Sequence, residues 1–239
     1  MSMNRSSEYE FYRKKINELT LSKDELILEG KKRFVPGQRY SIIEKYCQKK
    51  DKHFKTLVEI GCHTGYSLLY MSDRNFAEKL IGIDITISES LQNLQNDRLT
   101  FIESNANNRF PLDDKSVDAV VAMMVMEHVF DPFHFCSEIS RILTTGGILF
   151  LNVPLITAFK HRLALLLGQM PVTSTPKWFE MREWDGGHLH YFTIPLLRKL
   201  LSLSNLEIID MKGVGTFSQI KSLFSSILAA EISLVCRKL

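Results

Sequence analysis

The sequence predicts an α/β protein: a doubly wound, mostly parallel seven-stranded sheet, with an N-terminal helical cap and an insertion after the fifth strand. Three observations carry that expectation. Short β-rich runs alternate with helical ones from residue 56 onward, the pattern of parallel strands joined by covering helices. A glycine-bearing turn directly follows the first run, in Val58-Glu59-Ile60-Gly61-Cys62-His63-Thr64-Gly65. An acidic residue, Asp84, closes the second run, at the carboxyl edge where open α/β sheets bind ligands.

Residues 1–50 are polar and helix-prone. Tyr9, Phe11, Tyr12 and Ile16 give a loose apolar stripe, and Pro36-Gly37 separates two helical stretches, so this part is expected to be a helical cap. Residues 51–239 then form the main domain. Its strands are expected at Thr56–Ile60, Leu80–Asp84, Leu99–Glu103, Ala119–Met124 and Ile148–Val153. Residues 155–187 break the rhythm with Trp178, Trp184, added prolines and a helix-like Lys160–Gly168 segment; they read as a lid. Thr193-Ile194-Pro195, followed by Leu196, Leu197, Leu200 and Leu201, predicts an N-capped amphipathic helix with proline in its first turn. Leu206–Met211 and Ile232–Cys236 supply the last two strands.

Composition narrows the function classes. At 239 residues and 45% hydrophobic, the chain can bury a full core. A net charge of +3 gives no argument for a nucleic-acid partner. The basic runs Lys31-Lys32-Arg33 and Lys49-Lys50-Asp51-Lys52 read as solvated faces. Cys47, Cys62, Cys136 and Cys236 are widely spaced, with no paired ligand pattern and no secretory leader ahead of them, so free thiols in a cytoplasmic protein are expected. The most apolar run, Ile148–Phe159, is interrupted by Asn152 and Pro154 and is well short of the roughly 20 residues a spanning helix needs.

The turn carries chemistry through its backbone. Its glycines are spaced G-x-x-x-G, not the G-x-G-x-x-G of dinucleotide folds, which weakens a nicotinamide or flavin reading. Nineteen positions past Gly65, Asp84 can accept hydrogen bonds from both hydroxyls of a ribose; the alternative is a strand-end carboxylate facing water.

From about Phe34 onward the chain resembles the class I S-adenosylmethionine-dependent methyltransferases, in particular the small-molecule branch related to ubiquinone and menaquinone methyltransferases. Glu59, Gly61 and Gly65 match the first family motif, with His63 where a glycine usually stands. Ser104-Asn105-Ala106, the Phe110–Asp118 stretch and Met126-Glu127-His128-Val129-Phe130-Asp131-Pro132 follow in family order. So do Ser137–Gly147, with Thr145 in place of a proline, and His188-Leu189-His190-Tyr191-Phe192-Thr193.

The resemblance implies a Rossmann-like fold and S-adenosyl-L-methionine as cofactor, with S-adenosyl-L-homocysteine as product. It implies cofactor contacts from Glu59, Gly61, Cys62, His63, Gly65, Asp84, Ile85, Asn105, Ala106 and Met124. The acceptor is expected to be a small molecule, most simply an oxygen nucleophile; a lipid-linked acceptor resting on a membrane surface stays open, as does monomer against homodimer. His128 is a candidate general base, because histidine titrates near the working pH, against a purely structural hydrogen-bonded role. His188 is preferred to His190 as the second catalytic histidine. No metal is expected, since Glu127, His128, His134, His188 and His190 lack a compact ligand spacing, although such residues can converge in space. The alternative to an enzyme is a methyltransferase-fold binding or regulatory protein without turnover, a reading that rests on the departure at His63.

Overall fold

The computed structural model describes residues 22–175, 177, 180, 182, 184–215 and 225–239. The apolar stripe of Tyr9, Phe11, Tyr12 and Ile16 lies outside the described residues, as does Trp178. The chain opens with α1 (Lys23–Phe34). Ser22 starts this helix with a capping box: its Oγ accepts from the Glu25 N–H while Glu25 Oε2 accepts from the Ser22 N–H at 2.8 Å. Pro36-Gly37 then separates α1 from α2 (Ser41–Lys50), as the proline–glycine pair predicts.

Seven strands follow: β1 (Phe54–Ile60), β2 (Ala77–Asp84), β3 (Leu99–Glu103), β4 (Val117–Met123), β5 (Leu143–Pro154), β6 (Leu206–Gly213) and β7 (Glu231–Lys238). Between them run α3 (Tyr66–Asp73), α4 (Glu89–Gln92), α5 (Pro132–Ile142), α6 (Phe159–Leu166), α7 (Ile194–Leu203) and α8 (Ser225–Leu228). The sheet order is β3-β2-β1-β4-β5-β7-β6. All pairs are parallel except those of β7, which runs antiparallel to both β5 and β6. Each strand predicted from the sequence is present; β5 is the one most extended, beginning directly after α5.

Strand alternation splits the core between the two faces. Leu57, Ala119, Val121, Ile148 and Phe150 pack with the cap and α3, whereas Val58, Val120, Ala122, Leu149 and Leu151 pack with α5 and α7. Buried Phe150 sits edge-on to Phe54 and Tyr46; truncating it to alanine would cost about 3–5 kcal/mol. The cap is therefore part of the core, with Leu26, Phe34, Ile42 and Ile43 buried. The predicted cap on α7 is present, Thr193 accepting from the Leu196 N–H. No helix among the described residues is long and apolar enough to cross a membrane.

The insertion is tied at its base. Leu155 and Phe192 form an isolated parallel bridge, and the N–H of Ile156 donates to the Phe192 carbonyl at 3.1 Å. The insertion leaves β5 at the carboxyl end of the sheet, the end at which the glycine turn follows β1.

Candidate cofactor and acceptor site

The carboxyl ends of β1, β2 and β4 open onto a cavity of about 420 Å³, within the range of small-ligand sites. Gly61, Cys62, His63, Asp84, Ile85, Asn105, Ala106, Met124 and His128 all line it, so nine of the residues named from the sequence share one space. Gly65, Glu59 and His188 do not line it, and the reason differs for each.

Gly65 is the hinge from the turn into α3. Its φ of +70° favours glycine, and an added Cβ would lie 2.7 Å from Leu91 Cδ2, so that side chain would have to shift. Glu59 is fully buried behind the wall. It accepts hydrogen bonds from Tyr40 Oη at 2.6 Å and Ser67 Oγ at 2.7 Å, and both partners line the cavity. Burial raises the Glu59 carboxyl to about 7, against the lowering effect of those hydroxyls. Glu59 therefore stands behind the cavity wall and holds the two hydroxyl side chains that face the space.

His63 occupies the glycine position with φ +47°. It takes the left-handed conformation that a glycine would have taken, and its N–H donates to Asp84 Oδ2 at 2.7 Å. The departure from the motif thus leaves the backbone of the turn in a left-handed conformation with its N–H on Asp84. The other Asp84 oxygen accepts from the Ile85 N–H at 2.7 Å. The two bonds fix the carboxylate plane and lower its pKa, but burial outweighs them and the net shift is upward.

The acceptor side is built by long-range contacts. Past β4, Met124 adopts φ +59°, and the chain turns through Glu127 and His128. The returning limb of the insertion docks on this turn, the N–H of Leu189 donating to the Glu127 carbonyl at 2.7 Å. That bond brings His188 to a ring separation of 4.8 Å from His128. His188 is buried behind His128, which corrects its placement as a cavity-facing residue; burial, then His128, lowers its pKa. His190 points elsewhere, its Nε2 at 2.9 Å from the Val129 carbonyl. The alternation argument had given one histidine to the pocket, and neither side chain lines it.

Several partners were missed at the sequence level. Arg33, read as part of a solvated basic run, lines the cavity with its guanidinium 5.2 Å from the Tyr66 ring centre. Asp185 is fully buried and accepts from the backbone and hydroxyl of both Thr173 and Ser174. The signal that could have found it is Asp185-Gly186-Gly187 immediately before His188: an acid beside two glycines in an otherwise apolar insertion. Tyr40 had no sequence signal.

Strand order defines the molecule as a doubly wound fold, with its cavity at the carboxyl ends of β1, β2 and β4, where open α/β sheets offer a ligand crevice. Residues 58–151 match the family described as "Methyltransferase domain". A mitochondrial ubiquinone biosynthesis O-methyltransferase of Dictyostelium discoideum is 27% identical over 173 residues, 66% of this chain and 51% of that protein. A probable S-adenosylmethionine-dependent methyltransferase of Mycolicibacterium smegmatis is 29% identical over 163 residues, 67% of this chain and 55% of that protein. The chain thus spans about half the length of these curated relatives. Among solved structures, an S-adenosylmethionine-dependent methyltransferase from Mesorhizobium loti superposes with a TM-score of 0.57 at 14% identity, covering 78% of this chain and 92% of that one, a likeness of fold. Residues 58–151 thus match a methyltransferase domain, and the chain around them has the fold of S-adenosylmethionine-dependent methyltransferases.

Proposed function

We propose that the protein transfers a methyl group from S-adenosylmethionine to an oxygen of a small-molecule acceptor. The single observation that carries the reading is that Asp84, at the end of β2, and His128, past β4, line one cavity. Its residues suit the cofactor: Asp84 for the ribose hydroxyls, the Gly61–His63 backbone for close approach, Asn105 and Ala106 for the adenine, and Met124 for the methionine tail. When bound, the cofactor supplies a methyl group already activated by its sulfonium, so the residues of the chain have mainly to position the acceptor in line.

His128 is the group placed to take the acceptor's proton. Its Nδ1 lies 3.2 Å from the Gly187 carbonyl, which can only accept, so Nδ1 carries the proton and Nε2 is the basic nitrogen. His188 acts through His128 as a positioning residue. An oxygen acceptor is supported by the ubiquinone biosynthesis relative, whose name is that of an O-methyltransferase. The insertion is assigned the role of a lid that selects the acceptor. Phe159, Leu163, Leu165, Leu166 and Leu167 are exposed on it beside Lys160 and Arg162, a surface suited to an apolar or lipid-linked acceptor. All four cysteines are free and buried, which suits a cytoplasmic setting.

The test is S-adenosylhomocysteine binding by calorimetry, together with its acceptor-dependent formation from the cofactor over a panel of phenols and alcohols. Turnover on a hydroxyl acceptor is expected, falling about 10²- to 10⁴-fold in His128→Ala with product affinity unchanged. Binding without turnover on any acceptor would make the protein a binding module.

A further inference from the structure

We propose that the groove between the start of α5 and the outer face of α7 is a second small-molecule site, and that its ligand is a free carboxylate with an apolar chain. The site stands whether or not the protein transfers methyl groups. The groove encloses about 430 Å³, as much as the cofactor cavity and within the range of small-ligand sites.

One wall is aromatic. Asp131 caps α5 and Pro132 follows in its first turn, an arrangement that ordinarily folds the residue before the cap onto the fourth residue of the helix. Here that packing is not made: Phe135 is fully buried beside Phe110, with 6.1 Å between ring centres, while Phe130 stays 71% exposed. The Phe130 N–H donates to Asn107 Oδ1 at 2.6 Å, which holds the backbone, and the ring lines the groove together with Phe133.

The other wall is a helix face that folding does not use. Leu197, Leu200 and Leu201 bury α7 in the core, but Leu196, Lys199, Leu200 and Leu203 recur at i, i+3, i+4 and i+7 and all line the groove. Leu196 and Leu203 are exposed, as Phe130 and Phe133 are. Four large apolar side chains around one concavity are more than the single exposed residues of an ordinary surface and mark a binding site.

The walls set the size of the ligand and the charges set its head group. A docked helix would place anchors along the length of a groove, whereas the aromatic wall here is only Phe130 and the first turn of α5. Asp131 spends its Oδ1 on the N–H groups of Phe133 at 2.9 Å and His134 at 3.2 Å, and the positive end of the helix meets its charge. Lys199 uses its carbonyl for Ser202 Oγ, but its ammonium has no partner among the described residues. An apolar chain laid between the phenylalanines and the leucines, with its carboxylate on Lys199, satisfies both. A bilayer surface asks for several cations around an apolar face, and this groove is lined by one beside an aspartate.

The groove lies behind the wall of the cofactor cavity. His128 and Val129 line the cavity, Phe130 and Asp131 the groove, so four consecutive residues divide the two spaces. His190, turned away from the cavity, lines the groove with its Nε2 at 2.9 Å from the Val129 carbonyl. A ligand held there bears on the segment that carries His128 without entering the cofactor cavity.

The test titrates decanoate, below the concentration at which it forms micelles, into the full chain by calorimetry, with and without saturating S-adenosylhomocysteine, and repeats the titration with decanamide and decylammonium. One equivalent of decanoate should bind in both conditions, more tightly than either analogue. Affinity should fall about two- to fivefold in Lys199→Gln and at least about tenfold when Phe130→Ser and Phe133→Ser are combined. Leu203→Ser, on the opposite wall, should weaken it as well. All these positions are exposed, so the variants keep the core. No binding, binding that S-adenosylhomocysteine displaces, or binding that the wall variants leave unchanged overturns the second site, and equal affinity for decanamide overturns the carboxylate. A dimer in sedimentation that Phe130→Ser disperses, or capture by phosphatidylglycerol vesicles that the same variant loses, each without decanoate uptake, would give the groove to a second copy or to a membrane and overturn the free ligand.

Discussion

The two ends of the cavity are built by opposite means. On the proposed cofactor side, Gly61, His63 and Asp84 stand within 24 residues of one another, and backbone amides and a neighbouring strand hold them. On the acceptor side, Glu127 and His128 meet His188 and its support at Thr173 and Asp185 only because the insertion folds back onto the turn after β4. The first arrangement follows from the order of strands and stays in place whatever the insertion does. The second exists only while the insertion is docked. A cofactor site held by local backbone and an acceptor site held by a removable limb would let one domain keep its chemistry while its acceptor changes.

The largest expected effect tests the cofactor side. Asp84→Ala removes the carboxylate offered to a ribose, where each charge-assisted hydrogen bond is worth about 1.5–3 kcal/mol. It also releases the N–H groups of His63 and Ile85, which now hold the turn. S-adenosylhomocysteine affinity measured by calorimetry should drop at least about tenfold. An unchanged affinity in a folded variant would remove Asp84 from the site and with it the contrast between the two ends.

That asymmetry also explains what was legible in the sequence. The strand pattern, the glycine turn and Asp84 are periodic or short-range features, so the sheet and the turn could be placed from them, whereas the family resemblance supplied Asn105 and Ala106. Glu59 belonged to the same motif, but its partner Tyr40 lies 19 residues upstream in the cap, where no periodicity marks a hydroxyl as special. The limits are sharper on the acceptor side. Spacing of two along an extended segment gave His188 or His190 to the pocket, but backbone bonds from both Leu189 and His190 to the Glu127 carbonyl turn the segment so that His188 goes behind His128. Convergence across 60 residues leaves no trace in spacing.

A middle-sized effect concerns the buried acid that supports the cofactor wall. In the unfolded chain the Glu59 carboxyl titrates near 4.5, and in the folded protein burial moves it to about 7, with Asp84 adding to the rise and Tyr40, Ser67 and Arg33 opposing it. Between those values the folded state keeps a proton that the unfolded state has lost, so its contribution to stability is fullest below about 4.5 and declines as pH rises through about 7. Glu59→Gln abolishes that titration. Urea midpoints at a series of pH values from 5 to 8 should therefore fall less steeply in the variant than in the wild type, and parallel curves would mean that the carboxyl titrates normally in the fold. Above neutral pH the ionised Glu59 still accepts from both hydroxyls, so the cofactor wall should loosen without collapsing.

The smallest effect is expected at His63, where the side chain departs from the family motif and the backbone does not. A non-glycine residue at φ +47° bears a steric cost of about 1–2 kcal/mol. Glycine would relieve that cost while adding about 0.5–1 kcal/mol of chain entropy to be lost on folding. His63→Gly should thus raise stability by between about 0 and 1.5 kcal/mol. The N–H that donates to Asp84 Oδ2 is kept, so the carboxylate stays oriented and S-adenosylhomocysteine affinity should remain within a few-fold of wild type. One counter-effect is built in, because the imidazole is among the groups that lower the Asp84 pKa; its removal lets that pKa rise slightly, and any loss of affinity from this source should vanish as pH is raised. Calorimetry at two pH values separates the outcomes. A tenfold loss that persists at the higher pH would show that the imidazole itself contacts the cofactor, and the cofactor side would then depend on a side chain where it is here assigned to backbone alone.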